Sequence, residues 1–252
     1  MSSLCSTREH SAYATGKITY EDDRLFRPGG LALTARAIEL AHLAAGATVL
    51  DVGCGAGQSV KYMRTLGINT IGVDCANGGD SASDLSSASH TAIKASAEDL
   101  PFPDNFADGV LAECSVSVME KQGRALSEFA RVLVDGGRLM ISDLYARQPN
   151  GIAQVRKLKN SCVAGTIVRD ELEASLVACG FEVNAWEDHS KALRECAARF
   201  ILERGSLQGM WNCDGEASAE TIQAAMKLAR VGYFLMVATR NRREPEERRL
   251  QR

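Results

Sequence analysis

A doubly wound α/β fold, with a mostly parallel sheet covered by helices on both faces, is predicted from three observations. Short apolar runs alternate with segments whose apolar residues recur at helical spacing, a glycine-rich turn joins the first run to the first such helix, and acidic residues stand at the ends of several runs. Strands covered on both faces read as unbroken apolar runs. In such sheets ligands collect beyond the carboxyl ends of the strands.

Taken in order, a helix is read at 31–43 and the first strand at 48–53, Thr-Val-Leu-Asp-Val-Gly. A helix at 58–66 closes at Gly67, and a second strand at 70–74 ends on Asp74. Residues 76–90 are rich in Ser, Gly and Asp and predict a loop. The third strand is placed near 91–95 and the fourth at 109–114. Leu126, Phe129, Ala130 and Leu133 share one helical face. A turn at 135–137 leads into a fifth strand at 138–144. A helix at 170–179 ends with Gly180 at its C′ position, and a sixth strand follows at 181–187. The last strand is placed at 233–239. Between these two strands one helix carries Leu193, Cys196, Ala197, Phe200 and Ile201 on a single face, and a second helix covers about 217–230. The tail at 241–252, with five Arg and three Glu, reads as a solvated end.

The 252 residues are 45% hydrophobic and 24% charged, enough for an ordinary globular core. A net charge of −3 supplies no basic field for nucleic acid or anionic lipid. No apolar run approaches the roughly 20 residues of a membrane span, and the first residues lack a signal-peptide apolar region, so a cytoplasmic location is expected. The eight cysteines contain no Cys-x-x-Cys pair and the four histidines are scattered, so thiols and no metal site are expected.

Asp51-Val-Gly-Cys-Gly-Ala-Gly57 lies between the first strand and its helix. Glycines there let backbone amides approach a ligand, and a helix N-terminus favours an anion such as a carboxylate. The dinucleotide spacing Gly-x-Gly-x-x-Gly is broken, since the third glycine comes one residue early. Asp74, ending the second strand, is placed to accept both hydroxyls of a ribose.

These residues, with Gly72-Val-Asp74, Ser96-Ala-Glu-Asp-Leu-Pro-Phe-Pro103, residues 108–114 and Phe129-Ala-Arg-Val-Leu-Val-Asp-Gly-Gly-Arg-Leu139, resemble the class I S-adenosylmethionine (SAM)-dependent methyltransferases, in their branch acting on small molecules. The resemblance implies a Rossmann-like sheet of seven strands with the last antiparallel, SAM as cofactor and S-adenosylhomocysteine as product. It implies that Gly53, Gly55 and Gly57 line the methionine and ribose portion, that Asp51 orders the loop near the ammonium, and that Asp74 holds the ribose. Cys75 would pack against adenine, with Ala97 and Glu98 along its edge. Ser96 stands where the family often has Asp, and would accept the adenine amine more weakly. Arg27 would pair with the methionine carboxylate or stay solvated.

Methyl transfer needs a base only when the nucleophile is protonated. Glu113, ending the fourth strand, is the first candidate, its alternative role being a contact to cofactor or backbone. His189 is the second, and its alternative is a helix cap. Asp143 and Tyr145 close the fifth strand on the same rim. One domain is expected: an N-terminal cap at 1–45, a SAM-binding core at 46–187, a helical insertion at 188–231, the last strand at 232–240 and a flexible tail from 241. Relatives usually join the last two strands by a short hairpin. The insertion is therefore expected to form, with 10–34, either a lid over a small-molecule acceptor or a dimer interface. Rival readings are an NAD(P)-dependent oxidoreductase and a SAM-binding partner protein without turnover.

Overall fold

The computed structural model describes residues 27–75, 92–158, 161–205, 207–211 and 217–241. The readings of 76–90 as a loop and of 242–252 as a solvated tail lie outside the described residues, as does most of 10–34. The elements in chain order are α1 (Gly30–Ala41), β1 (Thr48–Val52), α2 (Gln58–Thr65), β2 (Asn69–Asp74), β3 (Ile93–Lys94), β4 (Ala107–Glu113) and α3 (Gln122–Val132). They continue with β5 (Leu133–Ala146), α4 (Ile152–Arg156), α5 (Arg169–Ala178), β6 (Phe181–Asp188), α6 (Ser190–Arg204), α7 (Gln208–Trp211), α8 (Ala219–Leu228) and β7 (Val231–Arg240). The sheet has the Rossmann-like order β3-β2-β1-β4-β5-β7-β6, with only β7 antiparallel to its neighbours.

Alternation along the strands sorts the core into two layers. Val49, Leu111, Met140, Tyr233, Leu235 and Val237 pack with α1, α2 and the helices between β6 and β7. Leu50, Val73, Leu139, Ile141, Phe234 and Met236 pack with α3 and α5 on the opposite face. Each central strand is therefore covered on both sides, which is why its sequence carries no polar alternation.

Helix ends follow local chemistry. Gly57 (φ +73) opens α2 in a left-handed conformation, and Gly180 (φ +86) follows α5 as its C′ glycine. Ser218 caps α8 by accepting a hydrogen bond from Thr221 N at 3.2 Å. The expected turn at 135–137 is absorbed into β5. Leu133 pairs with Ala107 and Arg138 with Gly109, so the strand bulges between them, through Gly136 at φ +78.

Between β6 and β7 the face of α6 is shorter than its sequence suggests. Leu193, Cys196 and Phe200 are buried, but Ile201 is 42% exposed and Leu202 86% exposed. The last turn runs past the sheet before Gly205 (φ +79) ends the helix, so helical periodicity outlasts the surface available to cover it. Trp211 joins the same core, and its carbonyl accepts hydrogen bonds from Ser161 Oγ at 2.8 Å and Cys162 Sγ at 3.3 Å.

Candidate active site

The turn after β1 is built on conformations that side chains resist. Gly53, Gly55 and Gly57 have φ of +81, +51 and +73. Gly53 N and Cys54 N both donate to Val73 O, at 2.7 and 3.2 Å, which folds the turn over the end of β2. A Cβ on Gly53 would lie 2.5 Å from that of Ser115, whose hydroxyl donates to Val52 O. Asp74 Oδ2 accepts from Gly55 N at 2.9 Å, so the two strand ends carrying the loop and the acid are tied together.

Asp51 is 2% exposed, and among the described residues its Oδ2 has no hydrogen-bond partner. Burial, then Glu113 and Asp74, push its pKa up to about 8, with Arg27 pulling the other way. Arg27, just ahead of α1, forms an ion pair with Glu113, and its Nη2 donates to Thr34 Oγ1 at 2.5 Å. Thr34 donates to Glu113 Oε1 at 3.1 Å and Ser59 donates to Glu113 Oε2 at 2.7 Å. Arg27 Nε is buried and has no partner among the described residues. The result is one guanidinium paired to Glu113 beside the buried Asp51 carboxyl, with a donor and an acceptor unsatisfied among the described residues. Buried polar atoms are normally paired, so an ammonium at Asp51 and a carboxylate at Arg27, the two ends of an amino acid, fit the gap.

The other expected site residues fall into separate places. Cys75 directly follows β2 and is half-buried. Ser96 Oγ accepts from Glu98 N at 3.2 Å, and Ala97 packs against the core beside it. The Glu98 carboxylate accepts from Lys121 N at 2.8 Å at the start of α3, so it serves a helix end. Glu113 is a candidate base or a contact residue, and its two oxygens are bound by Arg27, Thr34 and Ser59. His189 precedes α6 at its N-cap position and lies 3.0 Å from Glu187 Oε2, while Arg36 of α1 holds the same carboxylate at 2.6 Å.

Glu113 and His189 are not brought together. The register runs Glu113, Ser142, Leu235, Glu187 across four adjacent strands, and three strand spacings put the ends about 14 Å apart. Asp143 is 1% exposed and accepts from Ser117 N and Leu144 N, so it braces the turn after β4. Tyr145 donates to Asp188 Oδ2 at 3.0 Å.

Sequence reasoning missed Thr34, Ser59, Glu187 and Tyr233. Thr34 and Ser59 each sit on the buried stripe of a helix, and a hydroxyl there was the available signal. Among the described residues no three His, Cys, Asp or Glu side chains gather as a metal site, and no helix is long and apolar enough to cross a membrane.

The profile of the family described as "Methyltransferase domain" matches residues 50–141. The chain is 32% identical over 210 residues to O-methyltransferase resE of Aspergillus sclerotiorum, covering 78% of this chain and 76% of that protein. It is 30% identical over 228 residues to 27-O-demethylrifamycin SV methyltransferase of Amycolatopsis mediterranei, covering 82% of each. The structure of Haemonchus contortus phosphoethanolamine N-methyltransferase 2 in complex with S-adenosyl-L-methionine superposes with a TM-score of 0.67 at 14% identity, covering 96% of this chain and 61% of that one.

Proposed function

Because the chain belongs to the class I SAM-dependent methyltransferases, we propose that it methylates a hydroxyl group on a largely apolar small molecule. SAM is its cofactor and, when bound, supplies a methyl group activated on a sulfonium. The observation that carries the site assignment is that Asp51 Oδ2 and Arg27 Nε, both buried, have no partner among the described residues. On this reading Asp51 receives the cofactor's ammonium and Arg27, held in place by Glu113, receives its carboxylate. Gly53, Gly55 and Gly57 leave room for the backbone to approach, and Asp74 turns its carboxylate to the ribose. Cys75, Ser96, Ala97 and Glu98 flank the base.

A hydroxyl acceptor is supported by the two relatives, an O-methyltransferase and a 27-O-demethylrifamycin SV methyltransferase. An apolar acceptor is supported by the composition of the insertion, whose inward residues Leu193, Phe200, Met210 and Trp211 are buried with Leu33 of α1. The insertion at 188–231 then serves as the lid that shuts water out and holds acceptor and methyl in line, which can account for several kcal/mol of the barrier. His189 joins Arg36 and Glu187 in a latch between α1 and the first turn of the lid.

Incubation of the chain with methyl-labelled SAM and fractionated metabolite extracts tests the reading. Label should enter a low-molecular-weight product, and Asp74→Ala should weaken SAM binding by roughly 1–3 kcal/mol, the range for hydrogen bonds to a charged group. Tight NADH binding without SAM binding would favour the oxidoreductase, and SAM binding with no transfer to any fraction would favour a non-catalytic partner protein.

A further inference from the structure

Tyr233 lies in β7, directly after the insertion, and is wholly buried. Its backbone holds the beginning of the insertion: His189 N donates to Tyr233 O at 2.7 Å, and Tyr233 N donates to Ser190 Oγ at 3.3 Å. Gly232 admits this closeness, since a Cβ there would lie 2.2 Å from Ser190 Oγ. The phenol reaches the other way, 2.8 Å from Cys114 Sγ, and donates to Ser142 O at 3.2 Å. Cys114 immediately follows Glu113 and has φ +51, a left-handed conformation that costs a side-chain-bearing residue about 1–2 kcal/mol. Burial pushes both the phenol and the thiol toward their neutral forms, so the contact is a hydrogen bond between uncharged groups. A strained residue persists where its surroundings hold it; here Cys114 N donates to Ser142 O at 2.8 Å and the Tyr233 phenol meets the side chain.

We propose that Tyr233 is a positioning residue that ties the first turn of the insertion to the Glu113–Arg27 pair, so that lid and cofactor cradle are set by one side chain. The inference rests on the proposed cradle and goes beyond it, because it assigns Tyr233 a role in placing that cradle. If the phenol is removed, the Cys114 side chain loses its partner while its N–H stays on Ser142 O, and the strained peptide after Glu113 can shift. Arg27 then loses its fixed anchor.

Calorimetric titration of the full chain with SAM tests this. Tyr233→Phe should bind SAM about tenfold more weakly, the upper end for one hydrogen bond, with a melting temperature within a few degrees of wild type. Cys114→Ser, which keeps a polar partner for the phenol, should restore most of the affinity that Cys114→Ala loses. Cys114→Ala also reads the same link should Tyr233→Phe fail to fold. In an Arg27→Ala background Tyr233→Phe should cost nothing further, because both act through one anchor. Unchanged affinity in Tyr233→Phe and Cys114→Ala, or full additivity with Arg27→Ala, would overturn the proposal while leaving the cradle intact. Failure of the folded wild type to bind SAM would overturn both.

Discussion

At Asp51 burial and charge act against each other, and the outcome is a proton. The folded carboxyl keeps it up to about pH 8, whereas the unfolded one gives it up near 3.8. Between these values the ligand-free fold binds the extra proton, so the stability Asp51 contributes is complete below 3.8 and is lost as pH rises through about 8. On the proposed reading, a cofactor ammonium at Oδ2 would reverse the preference and expel the proton. Calorimetry in buffers of different ionisation enthalpy should count close to one proton released per SAM below about pH 8, and none in Asp51→Asn. Equal counts in both proteins would remove Asp51 from the ammonium site. His189 is the second residue to test. As part of a latch it should be replaceable by Ala with little change in turnover of the extract-derived acceptor. A loss of about a hundredfold in kcat, typical of a lost general base, with SAM affinity unchanged would restore the proton-transfer role.

The segment from Ser96 to Phe102 is fixed by one element, α3. Glu128 grips Arg131 through two hydrogen bonds of 2.9 and 2.8 Å and accepts from Leu100 N, while Arg131 donates to the carbonyls of Leu100 and Phe102. Arg131, chiefly, holds the Glu128 carboxylate below its ordinary 4.5. Its contribution is therefore complete above 4.5 and disappears as pH falls through the lower folded value. The stability gap between wild type and Glu128→Gln, about 1–3 kcal/mol for a charged hydrogen bond, should close on acidification, and a gap independent of pH would contradict this. In the insertion, Phe200→Ala should cost about 3–5 kcal/mol for a buried ring, and Leu202→Ala almost nothing, as chemical denaturation would show. Equal effects would mean that α6 packs differently. The strands, the glycine turn and Asp74 were legible because each is written in adjacent residues of regular period. The Arg27–Glu113 pair and the Tyr233–Cys114 contact, the latter 119 residues apart in sequence, were not, because only the sheet order brings them together. Ile201 misled for the related reason that periodicity describes a helix and not the surface beneath it.

At the scale of the molecule, α1 does for the rim what the glycine turn does for the loop. Thr34 fastens it to Glu113 on β4 and Arg36 fastens it to Glu187 on β6, so it crosses the carboxyl ends of β4, β5 and β6 and the amino end of the antiparallel β7. The insertion enters beside it at Ser190 and returns through β7, the strand inserted between β5 and β6. A cofactor in the cradle and an acceptor under the insertion would then share one roof, which is the architecture an in-line transfer requires. The cradle is the central claim, and a crystal structure of the chain with S-adenosylhomocysteine tests it most directly. The ligand's ammonium is expected within hydrogen-bond distance of Asp51 Oδ2 and its carboxylate on Arg27, with Glu113 still bound to Arg27, Thr34 and Ser59. A homocysteine end lying elsewhere, with Asp51 and Arg27 both unvisited, would contradict it.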